Sequence, residues 1–90
     1  MYFVYVLRNE KNSRFYIGYS GDLEARLSQH NAGKVKATRY LRPMSIAYTE
    51  AFKTSTEARS RERYLKSLKS HKSHKAVEDL INNELLSSDG

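Results

Sequence analysis

The chain has no cysteine, no tryptophan and one proline, Pro43. Without cysteine there is neither a disulfide staple nor a thiolate metal site, so the expectation is a reducing, cytoplasmic setting. Long apolar runs are also missing. Nothing approaches the roughly 20 apolar residues of a membrane span, and no N-terminal run suits a signal peptide. Acid is scarce: 10 Asp and Glu stand against 16 Lys and Arg, a net charge of +6. Such an excess suggests a polyanionic partner, with nucleic acid the first candidate. The bland alternative is a small domain kept soluble by its basic side chains. No internal repeat or low-complexity segment is visible.

What is present is 90 residues, enough for one small domain. A chain of this size buries only about 60% of its unfolded surface. The core must therefore be thin, and a small sheet with helices against it is expected. The basic residues are clustered. Lys34 to Arg42 holds four and no acid; Arg59 to Lys75 holds seven and one acid, Glu62.

Residues 2–7, Tyr-Phe-Val-Tyr-Val-Leu, read as a strand covered on both faces and so central. A polar turn cluster at 8–14 leads to a second strand, 15–19, and the short connection favours an antiparallel hairpin. Gly18 inside that strand marks a place where a backbone or ligand comes close. Ser20 or Asp22 can cap a helix carrying Leu23, Leu27 and His30, and Gly33 suits a left-handed stop. Residues 34–43 read as a basic loop and 44–52 as a third strand. Thr54 to Glu57 starts a second helix, running to about Lys69, with Ala58, Glu62, Leu65 and Leu68 or Lys69 inward. Residues 70–73 break it, and a last helix spans about 74–86, burying Val77, Leu80, Ile81 and Leu85. The expected fold is α+β, a three-stranded antiparallel sheet flanked by helices in the order β-β-α-β-α-α. One domain fills residues 1–86, with 87–90 a flexible tail.

Five residues can carry chemistry. Glu62 sits on a stripe that otherwise packs on the sheet, and a carboxylate there is costly unless paired or metal-bound. It can pair with Arg26, Arg59 or Lys66. Equally, one carboxylate suffices for Mg²⁺, which keeps waters and takes substrate phosphate oxygens. Arg26 can clamp a phosphate in bidentate fashion, or be a solvated helix charge. His30, four residues on and so on the same face, can relay a proton or be a half-buried structural histidine. Tyr5 and Tyr16 can approach each other if the hairpin forms, either as hydrogen-bonding phenols or as core.

The joint pattern is more specific than its parts. Val4-Tyr5-Val6-Leu7, then Tyr16-Ile17-Gly18, then Arg26, His30 and Glu62, resembles the GIY-YIG nuclease domain over residues 2 to about 82. The likeness is greatest to its small stand-alone members, related to the nuclease domain of the bacterial UvrC repair protein. The resemblance implies hydrolysis of a DNA phosphodiester, with a structure-selective role in repair or recombination. It implies that one of Tyr5 and Tyr16 helps activate the attacking water while the other positions it or the phosphate. It implies that Arg26 stabilises phosphate charge, that His30 matches a histidine of some members, and that Glu62 holds one Mg²⁺ or Mn²⁺ ion. Phe3 stands where the first motif has glycine. Many members place an asparagine after the metal-ligand helix; here that region reads Ser-His-Lys-Ser-His over 70–74, and the next asparagine is Asn82. Nucleic acid would rest on Gly18, Lys34, Lys36, Arg39, Arg42, Lys66 and Lys69, contacts that position without reading sequence. A protein partner can supply specificity. The alternatives are a non-catalytic nucleic-acid-binding module of the same fold, or a domain whose basic face meets an acidic protein.

Overall fold

The computed structural model describes residues 1–9, 11, 14–71 and 78–82, with the backbone alone for 69–71. Three strands, β1 (Tyr2–Asn9), β2 (Phe15–Ser20) and β3 (Met44–Phe52), form one sheet in the order β2-β1-β3. β1 is central and antiparallel to both neighbours. Val4, Tyr5, Val6 and Leu7 are all at most 1% exposed, which is what a strand covered on both faces requires. Helix α1 (Leu23–Asn31) and helix α2 (Ser55–His71) flank the sheet, and residues 78–82 are helical. The fold is α+β in the order β-β-α-β-α-α. Among the described residues no helix is long and apolar enough to cross a membrane.

The alternation of β1 splits the interior into two cores. Val4 and Val6 point to one face, where they meet Phe15, Ile17, Tyr48, Ala58, Leu65 and Ile81. Tyr5 and Leu7 point to the other, with Met44, and with Tyr16, Leu23, Leu27 and Leu41 packed around them. Thus α2 supports the first face and α1 the second. A register shift between Val6 and Leu7 in the pairing with β3 lets that strand bend without breaking the ladder.

The caps follow the sequence. Asp22 is the cap of α1, its carboxylate accepting from the Ala25 amide at 3.1 Å, while Ser20 holds the Asp22 amide at 3.0 Å. Gly33 takes φ 79°, the left-handed stop. Thr54 accepts from the Glu57 amide at 3.2 Å at the start of α2. The inward stripe of α2 is Ala58 and Leu65, both at 0% exposure, with Leu68 half-buried. Arg61 clamps α2 to β3 by donating from Nε and Nη2 to the two Glu50 oxygens, at 2.9 and 3.0 Å.

Residues 34–43 are not wholly loop. A 3-10 helix occupies Lys36–Leu41. Its turns are held by the buried Thr38 and the partly buried Leu41 rather than by intrinsic propensity, so charge masked it in the sequence. Of the last helix, Leu80 and Ile81 pack as expected. Val77, Leu85 and the 87–90 tail lie outside the described residues, as do the side chains of Lys69 and of residues 70–74.

Candidate active site

Tyr5 is the hub. Its neighbour across the hairpin is Gly18, and Leu7 faces Tyr16, so Tyr5 and Tyr16 are diagonal neighbours on one face of the sheet. Their ring centroids lie 6.4 Å apart. The Tyr5 ring runs across β2 directly over Gly18. A Cβ on Gly18 would lie 2.5 Å from Tyr5 Oη and 2.7 Å from Cζ. Gly18 is buried, and the group that comes close to it is this ring.

Helix α1 brings Arg26 and His30 over the same point. His30 is fully buried, not half-buried. Its Nε2 lies 3.1 Å from Tyr5 Oη and its Nδ1 lies 2.7 Å from Thr38 Oγ1. Its ring meets Tyr16 edge-on with centroids 4.8 Å apart. The Arg26 guanidinium is near enough to Tyr5 and Tyr16 for its charge to act on the phenols, and its Nη1 donates to Gln29 Oε1 at 2.9 Å.

The protons can be placed from the donor inventory. A guanidinium only donates, so toward Arg26 the Tyr5 oxygen can act only as an acceptor. Burial, the larger cause, and the Arg26 charge hold the His30 pKa below its ordinary value, so the imidazole is neutral at neutral pH. Burial raises the Tyr5 pKa above that of an ordinary phenol, outweighing the lowering hydrogen bond from Arg26. Tyr5 therefore keeps its proton, and with Thr38 donating to the Val35 carbonyl the matching tautomer has Tyr5 donating to His30 Nε2. His30 Nδ1–H then donates to Thr38, whose hydroxyl points at the Val35 carbonyl, 3.5 Å away. The result is a directed chain from Tyr5 through His30 to Thr38, with the Arg26 charge beside its first member.

Glu62 comes from α2, the helix on the other face of the sheet. Among the described residues its ion pair is with Lys66, one turn on, at 3.4 Å. Its side chain is 19% exposed and that of Lys66 53%, so the pair is of the i,i+4 surface kind, worth a few tenths of a kcal/mol. The Glu62 charge reaches Tyr5 through space and contributes to raising its pKa. Among the described residues no three His, Cys, Asp or Glu side chains gather into a closed metal cage. One half-buried carboxylate, lightly held, fits an ion that keeps most of its waters.

The remaining basic candidates lie on the surface. Lys34, Lys36, Arg39 and Arg42 are exposed around the 3-10 helix, and Lys66 is exposed on α2. Arg39 Nε donates to the Gly33 carbonyl at 3.3 Å and Arg42 Nε to the Arg39 carbonyl at 2.8 Å, so both guanidinium groups are aimed by the backbone. The Lys69 side chain lies outside the described residues. Sequence reasoning missed Thr38 and Gln29. For Thr38, the apolar Val35 and Leu41 around it, in a stretch otherwise basic, were the available signal. Gln29 offered only its three-residue spacing from Arg26.

The GIY-YIG catalytic domain family matches residues 1–75, and the chain belongs to that family. Membership implies nuclease-type hydrolysis of DNA and binding of nucleic acid, and GIY-YIG nucleases generally use a divalent metal.

Within the family, the chain is similar to small proteins of one group. It is 42% identical over 79 residues to UPF0213 protein RBAM_000440 of Bacillus velezensis, covering 87% of this chain and 79% of that protein. It is 37% identical over 84 residues to UPF0213 protein YazA of Bacillus subtilis, covering 92% and 84%. It is 37% identical over 79 residues to UPF0213 protein SH2523 of Staphylococcus haemolyticus, covering 87% and 95%. No solved structure matches.

Proposed function

We propose that this domain is a divalent-metal-dependent endonuclease that hydrolyses DNA phosphodiesters, with Tyr5, Tyr16, Arg26, His30 and Glu62 at its site. The observation that carries the reading is the Tyr5 hydroxyl 3.1 Å from the buried His30 imidazole, with Tyr16 against the same ring and the Arg26 charge beside them. A phenol so placed can pass its proton to His30 Nε2 as it takes one from an attacking water. Arg26 stabilises the phenolate character that develops, and its remaining donors suit a phosphate oxygen. Tyr16, partly exposed beside the same imidazole, positions the water or the phosphate. Thr38 fixes the His30 tautomer that leaves Nε2 free to accept.

Glu62 is the residue that would hold one Mg²⁺ or Mn²⁺ ion, which supplies Lewis-acid stabilisation of charge on the phosphate when bound. Lys34, Lys36, Arg39, Arg42, Lys66 and Lys69 give the backbone of the nucleic acid its footing. Gly18 enters as the position that gives Tyr5 its reach. A structure-selective role in repair or recombination suits a domain whose basic surface contacts phosphates rather than base edges.

The test is a panel of branched, nicked, single-stranded and duplex DNA with Mg²⁺ or Mn²⁺, with wild type beside Glu62→Gln. Cleavage is expected with metal and lost with chelator. Glu62→Gln should lower it by about 100-fold or more, about 2.7 kcal/mol of transition-state stabilisation, with thermal melting close to wild type. Equal cleavage by the variant would refute the assignment of Glu62. Salt-sensitive binding without cleavage under any metal would leave a non-catalytic module of the same fold.

A further inference from the structure

Tyr40 is 90% exposed. It is the most exposed large apolar side chain among the described residues, ahead of Met1 at 71% and Tyr64 at 52%. This is not a side chain on a loose loop. Tyr40 belongs to the 3-10 helix, which is anchored on both sides of it. Two residues before, Thr38 is fully buried against His30. One residue after, Leu41 packs on the Tyr5 cluster, and its carbonyl accepts from the buried Asn9 side chain. The Arg42 side chain is held to the Arg39 carbonyl at 2.8 Å. The backbone is fixed, and the phenol stands out from it.

The surroundings are all of one charge. Lys36, Arg39 and Arg42 share the short helix and its end, Lys34 precedes it, and no acid lies between Glu24 and Glu50 in the sequence. An apolar protein surface laid on Tyr40 would have to desolvate these cations. A nucleotide would not: its base has a π-face for the ring, and its flanking phosphates take the cations. Stacking of a base on an exposed aromatic is tolerant of sequence and needs an unpaired base, because a base within a duplex offers no free face.

We propose that Tyr40 is a stacking platform for an unpaired base, so that the domain prefers nucleic acid with a single-stranded segment next to the cleavage site. The inference rests on the nucleic-acid reading above and supplies its substrate class. The platform is coupled to the chemistry through two side chains: Thr38, in the same 3-10 helix, holds His30, and His30 holds Tyr5.

The test is binding, measured without divalent metal so that nothing is cut. Fluorescence anisotropy gives Kd for a labelled single-stranded oligonucleotide and for a blunt hairpin duplex, at two salt concentrations. Wild type is compared with Tyr40→Ala and Tyr40→Trp. Tyr40→Ala should reduce the preference for the single strand by about 5- to 150-fold, the range expected for one lost base stack. Tyr40→Trp should restore it. An unchanged ratio of the two Kd values in Tyr40→Ala, with both affinities falling together or neither, overturns the platform and leaves the nuclease reading intact. A shifted ratio in a protein that cleaves nothing with any metal supports the platform and removes the nuclease. If wild type binds neither oligonucleotide in a salt-dependent way, both readings fall.

Discussion

A glycine and a tyrosine opposite each other across a hairpin do more here than fill a sheet. Tyr5 crosses β2 because Gly18 has no side chain, and the hydroxyl at the end of that crossing meets His30 beside the Arg26 charge. Gly18→Ala puts a methyl group 2.5 Å from that hydroxyl. Overpacking of this kind costs about 1–3 kcal/mol. Denaturant unfolding should show a loss of that size, and DNA cleavage should fall further than the unfolded fraction explains, because the ring must leave its partners. The sequence marked Gly18 as a point of close approach and Tyr5 as a site residue, but not that each was the reason for the other. That link depends on register, which places Tyr5 opposite Gly18 and Tyr16 two pairs further along, opposite Leu7. His30 was legible as a functional candidate from its spacing to Arg26. Its complete burial was not, since the residues that cover it come from a segment read as loop.

That segment, the 3-10 helix, is where element-level reading ran out. α1, α2 and the strands announce themselves by caps and apolar periodicity. Six residues with four polar or charged side chains do not, and such a turn exists only because the rest of the fold anchors Thr38 and Leu41. Its role can be tested through Thr38. Thr38→Val keeps the shape and removes the partner of His30 Nδ1. A buried imidazole nitrogen left unpaired costs about 1–3 kcal/mol. Thr38→Val should therefore unfold at lower denaturant and cleave DNA more slowly, while Thr38→Ser retains most of both. The other segment tie was equally hidden. Asn31, at the end of α1, accepts from the Met44 amide at 2.8 Å and donates to the Met44 carbonyl at 3.0 Å, fixing where β3 begins. An asparagine before a glycine reads as a helix stop, which it is, and nothing in its neighbours names the strand it holds.

At the scale of the whole molecule, pH links the site to stability. The folded His30 has a pKa below its unfolded value of about 6.5. Below pH 6.5 the unfolded chain takes up a proton that the folded one refuses, so stability falls as pH drops through that range, by at most about 1.4 kcal/mol per unit. Melting followed from pH 7.5 to 5 should show this slope, and His30→Gln should flatten it. The fold class and strand order were legible because β1 is apolar on both faces and the turns are well marked. What could not be read was how the faces divide. Val4 and Val6 belong with α2, Tyr5 and Leu7 with α1. A sheet partitioned in this way puts most of the site candidates in one core and none in the other. Substitutions around Tyr5 and His30 cost stability on their own face and do not directly reach the packing of Val4, Val6 and Leu65. Glu62 is the exception, a candidate supplied from the supporting side without being part of its apolar core. A descendant of this domain could exchange Glu62 and Tyr5, keep its basic surface, and persist as a binding protein with no catalytic past visible in its shape.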